Sequence, residues 1–154
     1  MVAVAAGLTV DIERRYGGFA VAATFTTNPA AQVTVLFGPS GSGKTSILRC
    51  LAGLDMPDRG SIAFDSEVWF DASSATRLPA QRRRIGYMFQ DDALFPHLSA
   101  RGNIAYGLQR IARAERDERT TELARIVGVA DLLDRHPRTL SGGQRQRVAL
   151  ARSL

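Results

Sequence analysis

Val33-Thr34-Val35-Leu36-Phe37-Gly38-Pro39-Ser40-Gly41-Ser42-Gly43-Lys44-Thr45 is the stretch on which the fold turns. Residues 33–37 are an apolar run that reads as a buried strand. Residues 38–45 fit G-x-x-x-x-G-K-[ST]. Behind them Ile47, Leu48 and Leu51 fall on one face of a helix. The physics of strand, glycine-rich loop and helix in that order is specific. Glycines let the backbone curl so that successive N–H groups point inward. The helix adds the positive end of its dipole at the same place. Gly38, Pro39, Ser40, Gly41, Ser42 and Gly43 would line a cradle for phosphate oxygens. Lys44 would neutralise the β- and γ-phosphates of ATP, and the Thr45 hydroxyl would hold Mg²⁺. The pattern predicts an α/β fold with a P-loop NTPase core.

Composition bounds the rest. A chain of 154 residues holds one or two domains. No apolar run approaches the length of a membrane span. Residues 1–8 are apolar but lack a basic start and are short for a secretory signal, which predicts a cytosolic chain. The lone cysteine, Cys50, excludes an internal disulfide and fits a reducing compartment. It lies on the apolar side of the helix after the loop and reads as a small buried hydrophobe. The net charge is +5, with arginine runs at 82–84 and along 110–119. The second run alternates with Glu115, Asp117, Glu118 and Glu122, the pattern of a solvated helix face. No aromatic residues interleave with the basic clusters, so nucleic acid is not an expected partner.

Leu8, Val10 and Ile12 alternate as in a half-buried strand, Tyr16-Gly17-Gly18 turns, and Phe19 to Phe25 form a second strand. The N-terminal part therefore reads as an antiparallel β-hairpin. The helix after the loop ends at Gly53 and the turn Met56-Pro57-Asp58-Arg59-Gly60. Short strands are expected at 61–64 and 67–70, an irregular polar stretch at 71–84, and a buried strand at Ile85-Gly86-Tyr87-Met88-Phe89. From 98 to 135 the spacing of Ile104, Leu108, Ile111, Leu123, Ile126 and Val127 is helical. His136-Pro137 closes that segment.

Leu140-Ser141-Gly142-Gly143-Gln144 precedes a helix running from Arg145 to residue 154. Alone, such a stretch is a helix cap. Following a phosphate loop, Leu140-Ser141-Gly142-Gly143-Gln144-Arg145-Gln146-Arg147-Val148-Ala149-Leu150-Ala151-Arg152 resembles the signature of the ATP-binding-cassette family. The resemblance covers nearly the whole chain. Met88-Phe89-Gln90-Asp91 resembles the family's Q-loop. Leu54-Asp55-Met56-Pro57-Asp58-Arg59-Gly60 resembles its linker after the first helix. Trp69-Phe70-Asp71 and Leu78-Pro79-Ala80-Gln81-Arg82-Arg83-Arg84 are similar to the ATP-binding subunits of molybdate importers within the family. Sulfate, polyamine and iron importers share much of this.

The resemblance implies that the chain is part of one such domain, with a helical insert at about 93–138. It implies that Gln90 touches Mg²⁺ and the attacking water. It implies that Ser141, Gly142, Gly143 and Gln144 contact ATP held by a second copy in a homodimer, and that Tyr16 stacks on adenine, with Phe19 also in range. It implies ATP hydrolysis coupled to a transmembrane permease, at the cytoplasmic face of the bacterial inner membrane as a peripheral subunit. Phe95-Pro96-His97-Leu98 is expected either to dock on that permease or to pack within the insert, and Asp91 and Asp92 to face the permease side. The family's next elements, a Walker B strand ending in Asp-Glu and a switch histidine, have no counterpart after residue 144. The chain by itself is therefore expected not to turn over ATP. Two other readings stay open here: a soluble ATPase of the same superfamily acting on DNA or ribosomes, and a non-catalytic ATP-binding remnant.

Overall fold

The computed structural model describes residues 7–154; most of the N-terminal apolar stretch lies outside the described residues. The chain divides into two compact units, residues 1–84 and 85–154.

The first unit is an antiparallel sheet with one helix. β1 (Leu8–Tyr16) and β2 (Phe19–Thr26) form the expected hairpin. β3 (Arg59–Phe64), β4 (Glu67–Asp71) and the short β5 (Thr76–Arg77) complete the order β2-β1-β3-β4-β5. Period-two alternation puts Val10 and Ile12 on one face, with Ile62 opposite Val10 on β3. The register between β3 and β4 shifts at Ile62/Ala63. Phe70 pairs with Ile62 and Val68 with Ala63, which leaves Trp69 as the additional residue of a bulge. That is why Trp69 and Phe70 are both buried although they are neighbours. α1 (Lys44–Ala52) lays Cys50 into the same core as Val10, Ile12, Ile62, Trp69 and Phe70. Burial pushes the Cys50 thiol up to about 11, so it is a protonated, inert hydrophobe, as its place on the helix suggested.

Two expected strands do not form. Residues 33–37 and 85–89 make no ladder with any described segment. Val33, Val35 and Phe37 are 74%, 77% and 96% exposed. An interior parallel strand exists only when both edges find partners, because its N–H and C=O groups need acceptors and donors. Apolar composition supplies the burial tendency and not the neighbour. The sheet that is present is the antiparallel one.

The second unit is helical: α2 (Ala100–Gly107), α3 (Arg113–Ile126) and α4 (Gly142–Ser153). Ala100, Ile104, Leu123, Ala124, Val129, Leu133, Leu140, Val148 and Ala151 form its core, so the helix after Ser141 packs with the two before it. Ser99 caps α2 by accepting from the Gly102 amide. The arginine-rich run lies on α3, where Arg113, Glu115, Asp117, Glu118 and Arg119 are exposed, the solvated face that the charge pattern predicted. Asn103 is fully buried and satisfied: Phe95 N–H donates to its Oδ1, and its Nδ2 donates to the carbonyls of Phe95, Leu98 and Ser99. One amide thus holds the whole 95–99 segment. No described helix is long and apolar enough to cross a membrane.

Candidate functional site

The cradle is built at the start of α1. Gly43 is its N-cap residue, with φ 87°. A Cβ there would also lie 2.6 Å from Cγ2 of Val21, so β2 and the loop meet closely enough that only glycine fits. The first main-chain bond of the helix is from Ile47 N–H to the Gly43 carbonyl at 2.9 Å. The amides of Lys44, Thr45 and Ser46 therefore open the helix without main-chain acceptors. Lys44 Nζ folds back into the loop and donates to the carbonyls of Gly38 at 2.9 Å and Pro39 at 2.7 Å. Free amides, an ammonium and the exposed Thr45 hydroxyl are the donor set that a polyphosphate with a divalent cation requires, so these residues fit Mg²⁺-ATP.

Tyr16 ends β1 with its ring stacked on Phe19 at 6.4 Å between centroids. The Arg14 guanidinium lies over the Tyr16 ring at 5.1 Å. The Tyr16 hydroxyl donates to Asp55 Oδ2 at 2.7 Å, and Arg14 reaches Asp55 at 3.3 Å and Asp58 at 3.1 Å. Arg15 N–H donates to Asp58 Oδ2 at 2.7 Å. The linker after α1 is therefore a carboxylate clamp on the end of β1, a role its sequence did not announce. Burial acts to raise the Asp55 carboxyl, but the Tyr16 hydroxyl, the Met56 amide and the Arg14 and Arg49 charges outweigh it and hold it below its usual value. A depressed carboxyl contributes stability that is present above the unfolded value of about 3.9 and lost as the pH falls through the folded one. Asp55→Asn should accordingly lower the melting temperature at pH 7, by the equivalent of about 1–2 kcal/mol. The gap to the parent protein should shrink in melts taken toward pH 3. A gap independent of pH would show that the charge contributes nothing.

The arginine triplet divides its labour. Arg82 and Arg84 are exposed, whereas Arg83 is buried. Arg83 donates to the carbonyls of Cys50 and Leu51 at 2.7 Å each, to Leu78 at 3.0 Å and to Trp69 at 3.4 Å. It thereby supplies a donor to the Leu51 carbonyl at the end of α1 and a second one to the Cys50 carbonyl, which also accepts from the Gly53 N–H at 3.1 Å.

In the second unit, Ser141 and Gln144 form a capping box. Ser141 Oγ accepts from the Gln144 amide at 3.3 Å, and the Ser141 amide donates to Gln144 Oε1 at 2.9 Å. Gly142 and Gly143 lie in the first turn of α4. A Cβ on Gly143 would meet nothing within 4 Å, so packing within the chain does not demand glycine there. Gln90 is exposed in a turn. The Asp92 carboxylate accepts from Arg145 Nε at 3.2 Å, a partner on α4 that the sequence did not suggest. Of the 95–98 stretch, Pro96 and His97 are exposed while Phe95 and Leu98 are half-buried. Phe95 packs on Tyr106 at 4.4 Å between centroids, which shows that packing claims part of this patch.

The molybdenum import ATP-binding protein of Paramagnetospirillum magneticum is 46% identical over 147 residues, covering 96% of this chain and 40% of that protein. The molybdate/tungstate import ATP-binding protein of Archaeoglobus fulgidus is 49% identical over 147 residues, covering 96% of this chain and 58% of that protein. The molybdenum import ATP-binding protein of Thiobacillus denitrificans is 51% identical over 130 residues, covering 82% of this chain and 34% of that protein. The chain spans about 40% of the length of the first of these relatives. The family model described as ABC transporter matches residues 23–154, a range that includes the glycine loop at 38–45 and the helix after Ser141, and carries the α/β class of P-loop NTPases: the chain belongs to the ABC transporter family.

Proposed function

We propose that this chain is the cradle-and-signature portion of the ATP-binding subunit of a molybdate importer, and that the complete protein couples ATP hydrolysis to transport. The observation that carries the reading is the loop of residues 38–45, curled around the Lys44 ammonium at the open N-terminus of α1. The importers named above support the substrate class. The alternatives of a DNA- or ribosome-acting ATPase find no support among those relatives.

In this proposal the amides of residues 41–45 and Lys44 bind the phosphates, and Thr45 and Gln90 serve Mg²⁺. Tyr16, fixed by Asp55, offers a ring for the adenine. Ser141, Gly142, Gly143 and Gln144 serve ATP held by a second copy in a homodimer. The capping box leaves the Ser141 hydroxyl hydrogen free to donate, since its oxygen accepts from Gln144. Catalysis is positioning and charge stabilisation, with the nucleotide's γ-phosphate as the group held. Pro96 and His97 offer exposed surface to a permease at the cytoplasmic membrane face.

Lys44→Ala tests the reading in the complete protein. Removing one ammonium from a phosphate site loses about 1.5–3 kcal/mol, or roughly ten- to a hundred-fold in Mg²⁺-ATP affinity by calorimetry. Equal affinity in the variant would refute the cradle assignment. With the permease reconstituted, molybdate should stimulate phosphate release more than sulfate does; the reverse order would move the substrate to sulfate.

A further inference from the structure

The turn after Gln90 is strained, and arginines from α4 hold it. Asp92 and Ala93 both have left-handed backbone, with φ 52° and 46°, although neither is glycine. Ala93 N–H donates to the Asp91 carbonyl, closing a three-residue turn of the rare strained kind. Such a conformation persists only when its surroundings impose it. The surroundings here are two side chains of α4 set seven residues apart, hence on one face of the helix. Arg145 Nε donates to Asp92 Oδ2 at 3.2 Å, and its Nη1 donates to the Leu140 carbonyl at 3.0 Å, immediately before the Ser141 cap. Arg152 donates to the carbonyl of Ala93 at 2.7 Å and of Asp92 at 3.2 Å. Arg152 also lies over the Phe95 ring at 5.4 Å. Asp92 Oδ1 is buried and has no partner among the described residues. Arg145 is therefore the one side-chain donor to that carboxylate among the described residues, and removing it leaves a largely buried charge unpaired.

We propose that Arg145 is a positioning residue that ties the start of the signature helix to the turn immediately after Gln90, so that the placement of Gln90 follows the position of Ser141. Arg152 supports the same turn from one side. A ligand that draws on the Ser141 end of α4 shifts Arg145 with it, and Arg145 in turn either keeps Asp92 in its strained geometry or lets it relax. Two arrangements of one short turn, with α4 as the rigid connector, are what a coupling of two ligand-facing segments requires. The proposal rests on the reading of Gln90 and Ser141 as nucleotide-facing, but its first readout does not.

A nitroxide on Asp91→Cys reports the turn directly, by electron paramagnetic resonance in the full protein. Cys50 is buried and protonated and does not compete for the label, and any cysteine outside residues 1–154 is first replaced by serine. The parent should give a restrained spectrum. Arg145→Ala should convert it to a mobile one, and exchanging the charges, Asp92→Arg with Arg145→Asp, should restore restraint. In Arg145→Ala phosphate release should fall by about ten- to a hundred-fold, as misplacing a positioned group does, with half-saturation by Mg²⁺-ATP nearly unchanged, and the charge exchange should recover it in step with the label. If Arg145→Ala does not fold, Asp92→Asn removes the ion pair while keeping both side chains in size, and should loosen the label likewise. A label equally restrained with and without the Arg145–Asp92 pair overturns the proposal. Failure of the parent protein to bind ATP would overturn the functional reading instead, while the label would still report whether Arg145 holds the turn.

Discussion

Gly60→Ala should destabilise the protein by more than about 4 kcal/mol, the range reached only by a few mechanisms. Gly60, the second residue of β3, pairs with Ile12 of β1 and has φ 89°. A left-handed backbone alone costs an alanine about 1–2 kcal/mol. The larger part is steric. The new Cβ would lie 1.8 Å from the Asp11 carbonyl oxygen and 3.1 Å from Cα of Ile12. Both obstacles are backbone, so no rotamer relieves them. β1 and β3 must part, and β1 is the strand on which β2 also pairs. Urea unfolding should show a midpoint collapsed toward zero denaturant. The neighbouring Ser61→Ala should stay within about 0.5 kcal/mol of the parent. A Gly60→Ala midpoint near that of Ser61→Ala would mean that the strands can separate without loss, and that the β1–β3 ladder contributes little.

Arg83→Met should cost about 3–5 kcal/mol. Methionine keeps most of the buried aliphatic volume, so the change isolates the hydrogen bonds. The Leu51 carbonyl would lose its donor at 2.7 Å, and the Cys50 carbonyl, which the Gly53 N–H also reaches at 3.1 Å, would lose a charged one. Each buried acceptor left unmet is worth about 1–3 kcal/mol. The cation above the Trp69 ring, 5.6 Å from its centroid, goes too. Burial lowers the guanidinium's pKa, yet an arginine remains charged at any ordinary pH. Arg83→Lys should recover less than half of the loss, since one ammonium cannot serve carbonyls from α1, β4 and residue 78 at once. Exposed Arg82→Ala should be close to neutral. If Arg83→Met melts with the parent, the carbonyls have found other donors and the brace is redundant. For a chain of this length each kcal/mol moves the melting temperature by about 2–4 °C, so the contrast is easily resolved.

Gly60 and Arg83 also mark the boundary between what was legible and what was not. The alternation of Leu8, Val10 and Ile12 and the Tyr16-Gly17-Gly18 turn sufficed to predict the β1–β2 hairpin, because local periodicity and turn chemistry act within a few residues. The same holds for α1 behind its glycine loop and for α4 behind Ser141, where the cap residues belong to the helix they start. Nothing in Arg82-Arg83-Arg84 distinguishes the middle arginine. Its burial depends on carbonyls over thirty residues earlier in the chain. Asp92 is a similar case. In the sequence it is an acid after a glutamine, and its partner Arg145 comes from a helix fifty-three positions away.

The apolar runs at 33–37 and 85–89 show the limit from the other side. Their composition demands burial, but a strand is a relation between two segments, and neither run has a hydrogen-bonding partner among the described residues. Local chemistry is thus written in the chain itself. The glycine loop at 38–45, the cap at Ser141, the hairpin and the helix periods are each encoded in residues close enough in sequence to act on one another. Which polar groups meet across the fold is settled only in three dimensions: Arg83 with the end of α1, Asp55 with Tyr16, Arg145 with Asp92. Those pairings are set by the packing of apolar faces, which brings distant segments within the roughly 3 Å at which a hydrogen bond acts.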